Sequence, residues 1–224
     1  MYRGSSKNCQ KTFEDLKDGR ERIEKICREL LKNEIIVALG CTEPGTIAYA
    51  AACAKEILGA IPNHMEIYVS GNILKNVKSV VIPNTQNLKG IAEAAFCGIA
   101  GGNPKRKLEV LNTLTMADVE MVRKLVAEEN MYDVHLSRVQ EPLYVRVELI
   151  RGEHTSLVEI QKSHLNITKV QKDGKDITRQ YQYRECVGEV NGSEYKLKLK
   201  DIYNFAYETE IGDLENLMKL QITH

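Results

Sequence analysis

The stretch Leu143-Tyr-Val-Arg-Val-Glu-Leu149 reads with a period of two. Leu143, Val145, Val147 and Leu149 alternate with Tyr144, Arg146 and Glu148, the pattern of a strand with one face on a core. Downstream, Arg151-Gly-Glu153 predicts a turn, Thr155 to Ile160 a second strand and Leu165 to Val170 a third. Asp173-Gly174 is a strong hairpin signal. These runs predict an antiparallel meander, with the period-two region beginning near Tyr132.

Upstream the period lengthens to that of a helix. Thr115-Met-Ala-Asp118 resembles a capping box and opens a helix to about Glu129, with Val119, Val122, Leu125 and Val126 at helical spacing. Further helices are predicted over Lys11–Lys32, Pro44–Leu58 and Leu88–Ala100. The last of these is stopped by Gly101-Gly-Asn-Pro104. One strand is predicted over Met65–Ser70. Beyond the meander, residues 176–200 are polar and poorly patterned, and helices are expected over Asp201–Glu208 and Asp213–Ile222. The expected fold is α+β, with helices of the N-terminal part packed on an antiparallel or mixed sheet built largely from residues 132–175. Residues 1–10 are expected to be a disordered tail and residues 11–224 a single domain, with any sub-boundary near residue 130.

Composition excludes several function classes. The chain has 224 residues, with 31 basic and 31 acidic side chains, so it carries no electrostatic footprint for nucleic acid or an anionic membrane. No apolar run approaches the roughly 20 residues of a membrane span. The polar N-terminus lacks a signal peptide's apolar core, so a soluble cytoplasmic protein is expected. The six cysteines, Cys9, Cys27, Cys41, Cys53, Cys97 and Cys186, form no C-x-x-C pair and no zinc-type spacing. Free thiols in a reducing compartment are the simpler account.

The chemistry centres on Leu39-Gly-Cys-Thr-Glu-Pro-Gly-Thr46. Gly40 lets the backbone turn, Pro44 suits a helix's first turn, and Thr42 or Glu43 can cap its free amides. Cys41 is then expected just before a helix N-terminus, where the dipole lowers a thiol pKa. The competing reading is a buried structural cysteine beside a cap. Ser70, Gly71, Asn72, Lys75, Asn76, Asn84 and Thr85 bracket short apolar runs. They read either as a site for a small anionic or amino-acid substrate or as ordinary turn chemistry. His154 and His164 flank the second meander strand, and a histidine pair there could bind metal or shuttle protons.

Ala38-Leu-Gly-Cys-Thr-Glu-Pro44, Ser70-Gly-Asn-Ile-Leu-Lys-Asn76, Gly90-Ile-Ala-Glu-Ala-Ala95, Leu108-Glu-Val-Leu111, and Gly152-Glu-His-Thr155 followed by Ser163-His-Leu-Asn-Ile167 occur in order. Together they resemble the L-cysteine desulfidase family, related to the alpha chain of iron–sulfur L-serine dehydratases. The resemblance covers roughly residues 15 to 224 but only the N-terminal half of a family member. It implies a [4Fe–4S]-dependent lyase that releases pyruvate and ammonia with sulfide or water. It implies Cys41 as the proton acceptor, and Thr42, Glu43, Ser70, Gly71, Asn72, Lys75, Asn76, Asn84, Thr85, His154, His164 and Asn166 as substrate-site residues. The cluster cysteines would lie in the other half, so no metal or cofactor is expected on this chain alone. A partner carrying that half, a small amino-acid substrate and self-association through an uncovered apolar face are expected. The alternative is an inactive truncated homologue that binds a small amino acid or a partner chain. The resemblance also leads to glycines at positions 84 and 86 and a threonine at 165, where this chain has Asn84, Gln86 and Leu165.

Overall fold

The computed structural model describes residues 19–185, 197–210, 212–216 and 219. The expected tail, the first turns of the predicted N-terminal helix, Cys9, Cys186 and half of the predicted C-terminal helix lie outside these. The chain divides into two compact units, one of them Val37–Glu189. The division falls at residues 36/37 and 189/190, away from the sub-boundary expected near residue 130. The smaller unit contains helices α1 (Gly19–Glu34) and α7 (Leu199–Glu208). Within it, Arg28 donates to the Glu210 carbonyl at 3.0 Å.

The larger unit is α+β, with helices α2 (Thr42–Leu58), α3 (Gly71–Val77), α4 (Ile91–Gly101), α5 (Met116–Ala127) and α6 (Thr178–Glu185). Its strands are β1 (His64–Val69), β2 (Tyr132–Leu136), β3 (Tyr144–Arg151), β4 (His154–Gln161), β5 (Ile167–Lys172) and β6 (Lys175–Asp176). They form one sheet in the order β2-β1-β3-β4-β5-β6. β1 runs parallel to β2 and antiparallel to β3, and the later pairs are antiparallel. The meander is therefore present as expected, but the isolated upstream strand β1 is inserted between β2 and β3. Pairing across that distance in sequence leaves no local signal, because a strand's neighbours are chosen by the face it buries.

One face of the sheet is apolar. Met65, Ile67 and Val69 of β1, Val145, Val147 and Leu149 of β3, and Val158 and Ile160 of β4 are fully buried there. α2 covers this face, and every residue from Pro44 to Ala54 is buried. Its alanine run permits one very close helix crossing. A Cβ added at Gly98 of α4 would lie 2.1 Å from the Ala48 carbonyl oxygen of α2. The small residues of α2 thus serve backbone-to-backbone packing. At the other end of α2, Ser156 of β4 donates to the Ala54 carbonyl at 2.8 Å, satisfying a buried hydroxyl.

Local signals set several boundaries. Thr115 accepts from the Asp118 amide while the Asp118 carboxylate accepts from the Thr115 amide, a complete capping box for α5. Asp173 and Gly174 both take positive φ, 49° and 74°, as a tight hairpin of the primed type requires. The predicted turn segment 70–76 is instead the helix α3, with Ser70 as N-cap and Ile73 and Val77 buried one turn apart. Its serine cap and that i, i+4 pair were the available signal. Leu108 to Leu111 belongs to a 3-10 segment, Pro104–Thr113, kinked at Lys107. No helix among the described residues is long and apolar enough to cross a membrane.

Candidate active site

Cys41 is itself the N-cap residue of α2, with extended backbone (φ −68°, ψ 136°), and no side chain caps the helix from that position. This replaces the expected cap by Thr42 or Glu43. Gly40 precedes it at φ 71°, and a Cβ there would lie 2.7 Å from Pro83 Cγ. Both the backbone angle and the close approach of Pro83 require glycine at position 40.

Glu43 is the hub of the site. Its Oε2 accepts from the Cys41 thiol at 2.8 Å and from the Thr42 hydroxyl at 3.3 Å. Its Oε1 accepts from Asn76 Nδ2 at 2.9 Å, bringing the exposed face of α3 against the start of α2. Asn72 and Lys75 are exposed on the same short helix. The thiol bond, foremost, holds the Glu43 carboxyl below its ordinary pKa. Cys41 moves the other way. Burial first, and the Glu43 carboxylate second, push its thiol above the ordinary value. The lowered thiol pKa expected from the helix N-terminus is therefore not what the site provides, because the sulfur is partly buried and a carboxylate faces it at hydrogen-bond distance.

His164 enters from the loop after β4. Its Nδ1 lies 2.8 Å from the Thr46 hydroxyl, which in turn donates to the Thr42 carbonyl at 2.9 Å. With the hydroxyl proton committed to that carbonyl, Nδ1–H donates and Nε2 keeps the lone pair of the neutral ring. Burial lowers the His164 pKa, against the opposing pull of the Glu43 charge. The site thus combines a protonated thiol, an ionised carboxylate and a neutral imidazole around the first turn of α2.

Other sequence candidates hold the frame. Ser70 is 4% exposed, and its hydroxyl donates to the Pro142 carbonyl at 2.7 Å and accepts from the Ile73 amide. Thr85 is buried, donates to the Ile82 carbonyl and accepts from the Leu88 amide. Asn84 donates to the Leu111 carbonyl at 3.2 Å, and Asn166 donates to the Gln161 carbonyl at 3.0 Å. Gly71 opens α3, and no heavy atom lies within 4 Å of where its Cβ would stand. Asn84 and Gln86, where glycines were expected, take φ of 60° and 53°, so the loop keeps the left-handed conformation glycine favours. The described residues do not support a His154–His164 metal pair. His154 begins β4 and bonds Asp173 at 3.4 Å, and the seven residues from there to Gln161 span roughly 23 Å of strand.

The described cysteines do not fit an iron–sulfur cluster. Cys27, Cys53 and Cys97 are buried on α1, α2 and α4, where they pack. Burial, foremost, pushes the Cys97 thiol up to about 12. No group of three cysteines with ligand atoms drawn together occurs among the described residues.

The chain is similar to proteins named UPF0597. It is 39% identical over 197 residues to one from Lachnoclostridium phytofermentans, covering 88% of this chain and 46% of that protein. It is 40% identical over 196 residues to one from Finegoldia magna, covering 87% and 46%. For one from Clostridium tetani the identity is 35% over 192 residues, covering 85% and 45%. The chain thus spans slightly less than half the length of these curated relatives, whose names specify no reaction, substrate or cofactor. No family profile matches the chain, and no solved structure matches it.

Proposed function

We propose that this chain is the proton-accepting, substrate-gripping part of a [4Fe–4S]-dependent amino-acid lyase of the L-cysteine desulfidase or L-serine dehydratase type. The observation that carries the reading is the Cys41–Glu43–Asn76 chain of hydrogen bonds at the start of α2. Of the motif residues, Cys41, Thr42 and Glu43 at the start of α2, Asn76 of α3 and His164 of the loop after β4 meet there. Since the described cysteines do not fit a cluster, that group would reside on the half of the assembly absent from this chain.

In this reading the Cys41–Glu43 pair holds one proton at rest, on sulfur. The substrate Cα gives its proton to Sγ as the thiol passes its own to Glu43 Oε2. The electron pair left on Cα then expels the β-substituent, sulfide from cysteine or hydroxide from serine. Lys75 and Asn72, exposed on α3 beside this pair, supply charge and hydrogen bonds for a substrate carboxylate. The chemistry suits a reducing cytoplasm, and the complementary half, from a second chain or from a further stretch of polypeptide, completes the site. Self-association of the chain belongs to the same proposal.

The test mixes this chain with a polypeptide carrying the second half of a UPF0597 relative, loads iron and sulfide anaerobically, and measures pyruvate from L-cysteine and L-serine. Pyruvate release that disappears in Cys41→Ala and falls in Glu43→Gln supports the reading. A cluster-loaded assembly that forms no pyruvate from either amino acid overturns it, in favour of an inactive homologue that binds an amino acid or a partner.

A further inference from the structure

On the face of the sheet turned away from α2, three side chains converge that no part of the proposed lyase site uses. His64 and Glu66 are two residues apart on β1 and point to the same side. Asp133 stands opposite Glu66 in the parallel register of β1 and β2. The imidazole nitrogen and the two carboxylates offer ligand atoms that all lie within 4.8 Å of one another. His64 Nε2 is 3.0 Å from Glu66 Oε1 and 3.6 Å from Asp133 Oδ2.

The surroundings orient these groups. His64 Nδ1 lies 2.8 Å from the Asn130 carbonyl, an acceptor only, so Nδ1 carries the proton and Nε2 of the neutral ring aims a lone pair at two carboxylates. A cation must stand between them, either a proton on Nε2 or a metal ion. The far oxygen of Glu66 accepts from His135 Nε2 at 2.6 Å, and the His135 ring is stacked on Tyr68 with centroids 4.6 Å apart. A ring N–H given to a backbone carbonyl, and a carboxylate bonded through its second oxygen, are the outer-layer contacts that hold metal ligands in place.

We propose that His64, Glu66 and Asp133 form a binding site for one divalent first-row transition-metal ion, oriented by Asn130 and His135, which fastens the edge strand β2 to β1. One imidazole and two carboxylates neutralise a doubly charged ion and suit zinc, manganese or ferrous iron rather than a thiolate-seeking metal. Metal bonds of about 2.0–2.2 Å from each ligand need only a small closing of the spacing seen. The open side faces solvent, since Asp133 is 61% exposed.

The test uses Co2+ alone as the probe on the full chain after chelator treatment, read by calorimetry and by the visible spectrum. One ion per chain is expected, with no thiolate-to-metal charge-transfer band. His64→Gln and Asp133→Asn should each weaken binding at least tenfold, and His135→Gln about tenfold. Asp133→Asn keeps the shape of an exposed side chain, so it reports on binding without disturbing a core. Co2+ should also raise the Tm of the unaltered chain and leave that of Asp133→Asn unmoved. Absence of binding, affinity indifferent to Asp133→Asn, or a thiolate spectrum would each overturn the proposal.

Discussion

The Cys41 thiol donates to Glu43 Oε2 across 2.8 Å, and this contact sets the protonation of the candidate site. Burial first and this contact second raise the thiol pKa, and the contact foremost lowers that of the carboxyl. A cysteine at a helix N-terminus is usually read as an activated thiolate. Here burial and the adjacent Glu43 carboxylate outweigh the backbone amides of Thr42 and Glu43 that favour the thiolate, so the thiol form wins.

Glu43→Gln should therefore speed alkylation of Cys41. Removing the charge lowers the thiol pKa, and more thiolate is present near neutral pH. The rate of iodoacetamide labelling at the Cys41 peptide, followed by mass spectrometry, checks this. A rate unchanged or slowed in the variant counts against the assigned hydrogen bond.

His164 should titrate below the ordinary histidine value of about 6.5. Because its folded pKa is depressed, the unfolded chain binds the proton first as pH falls. The stability linked to a neutral His164 is then fully present above about pH 6.5 and is lost as pH drops toward the folded pKa. Proton NMR of the imidazole reads the pKa, and urea unfolding between pH 7.5 and 5.5 reads the slope. His164→Gln should flatten that slope, and an unaltered slope would assign it to other groups.

Gly98→Ala should destabilise the larger unit by about 1–3 kcal/mol, the usual cost of overfilling a packed contact. The added methyl meets the Ala48 carbonyl oxygen, a backbone atom that cannot rotate aside. Gly71→Ala, with nothing within 4 Å of its Cβ, is the control and should shift stability by less than about 0.5 kcal/mol. Equal Tm values for the two variants would contradict the close crossing of α2 and α4.

Thr115→Ala removes the side-chain half of the α5 capping box. The loss should be about 0.5–2 kcal/mol by chemical denaturation. Thr115→Ser should restore most of it, since the hydroxyl and its bond to the Asp118 amide return.

Local pattern carried much of this fold. Alternation at Leu143–Leu149, the Asp173-Gly174 turn and the Thr115/Asp118 cap each rest on backbone geometry that a few neighbouring residues decide. The seven residues of α3 are too few for a periodic signal, leaving only its serine cap and one apolar pair. For the site, the sequence singled out Cys41, Glu43, Asn76 and His164, which the fold does bring together. It also singled out Ser70, Thr85 and Asn166, whose polar groups bond backbone and brace loops. The two roles call for the same residue types, so composition cannot separate them.

By itself the sequence determined the α+β class, the meander and the placement of Cys41 at the start of a helix, because these follow from periodicity and turn chemistry within short windows. Only the tertiary structure decided that β1 lies between β2 and β3, that His154 stands a strand's length from His164, and that Asp133 meets His64 and Glu66. It also decided the direction of the Cys41 pKa. Those outcomes depend on which surfaces are buried against each other and on which charges then come within a few ångströms, and no short window of sequence contains that information.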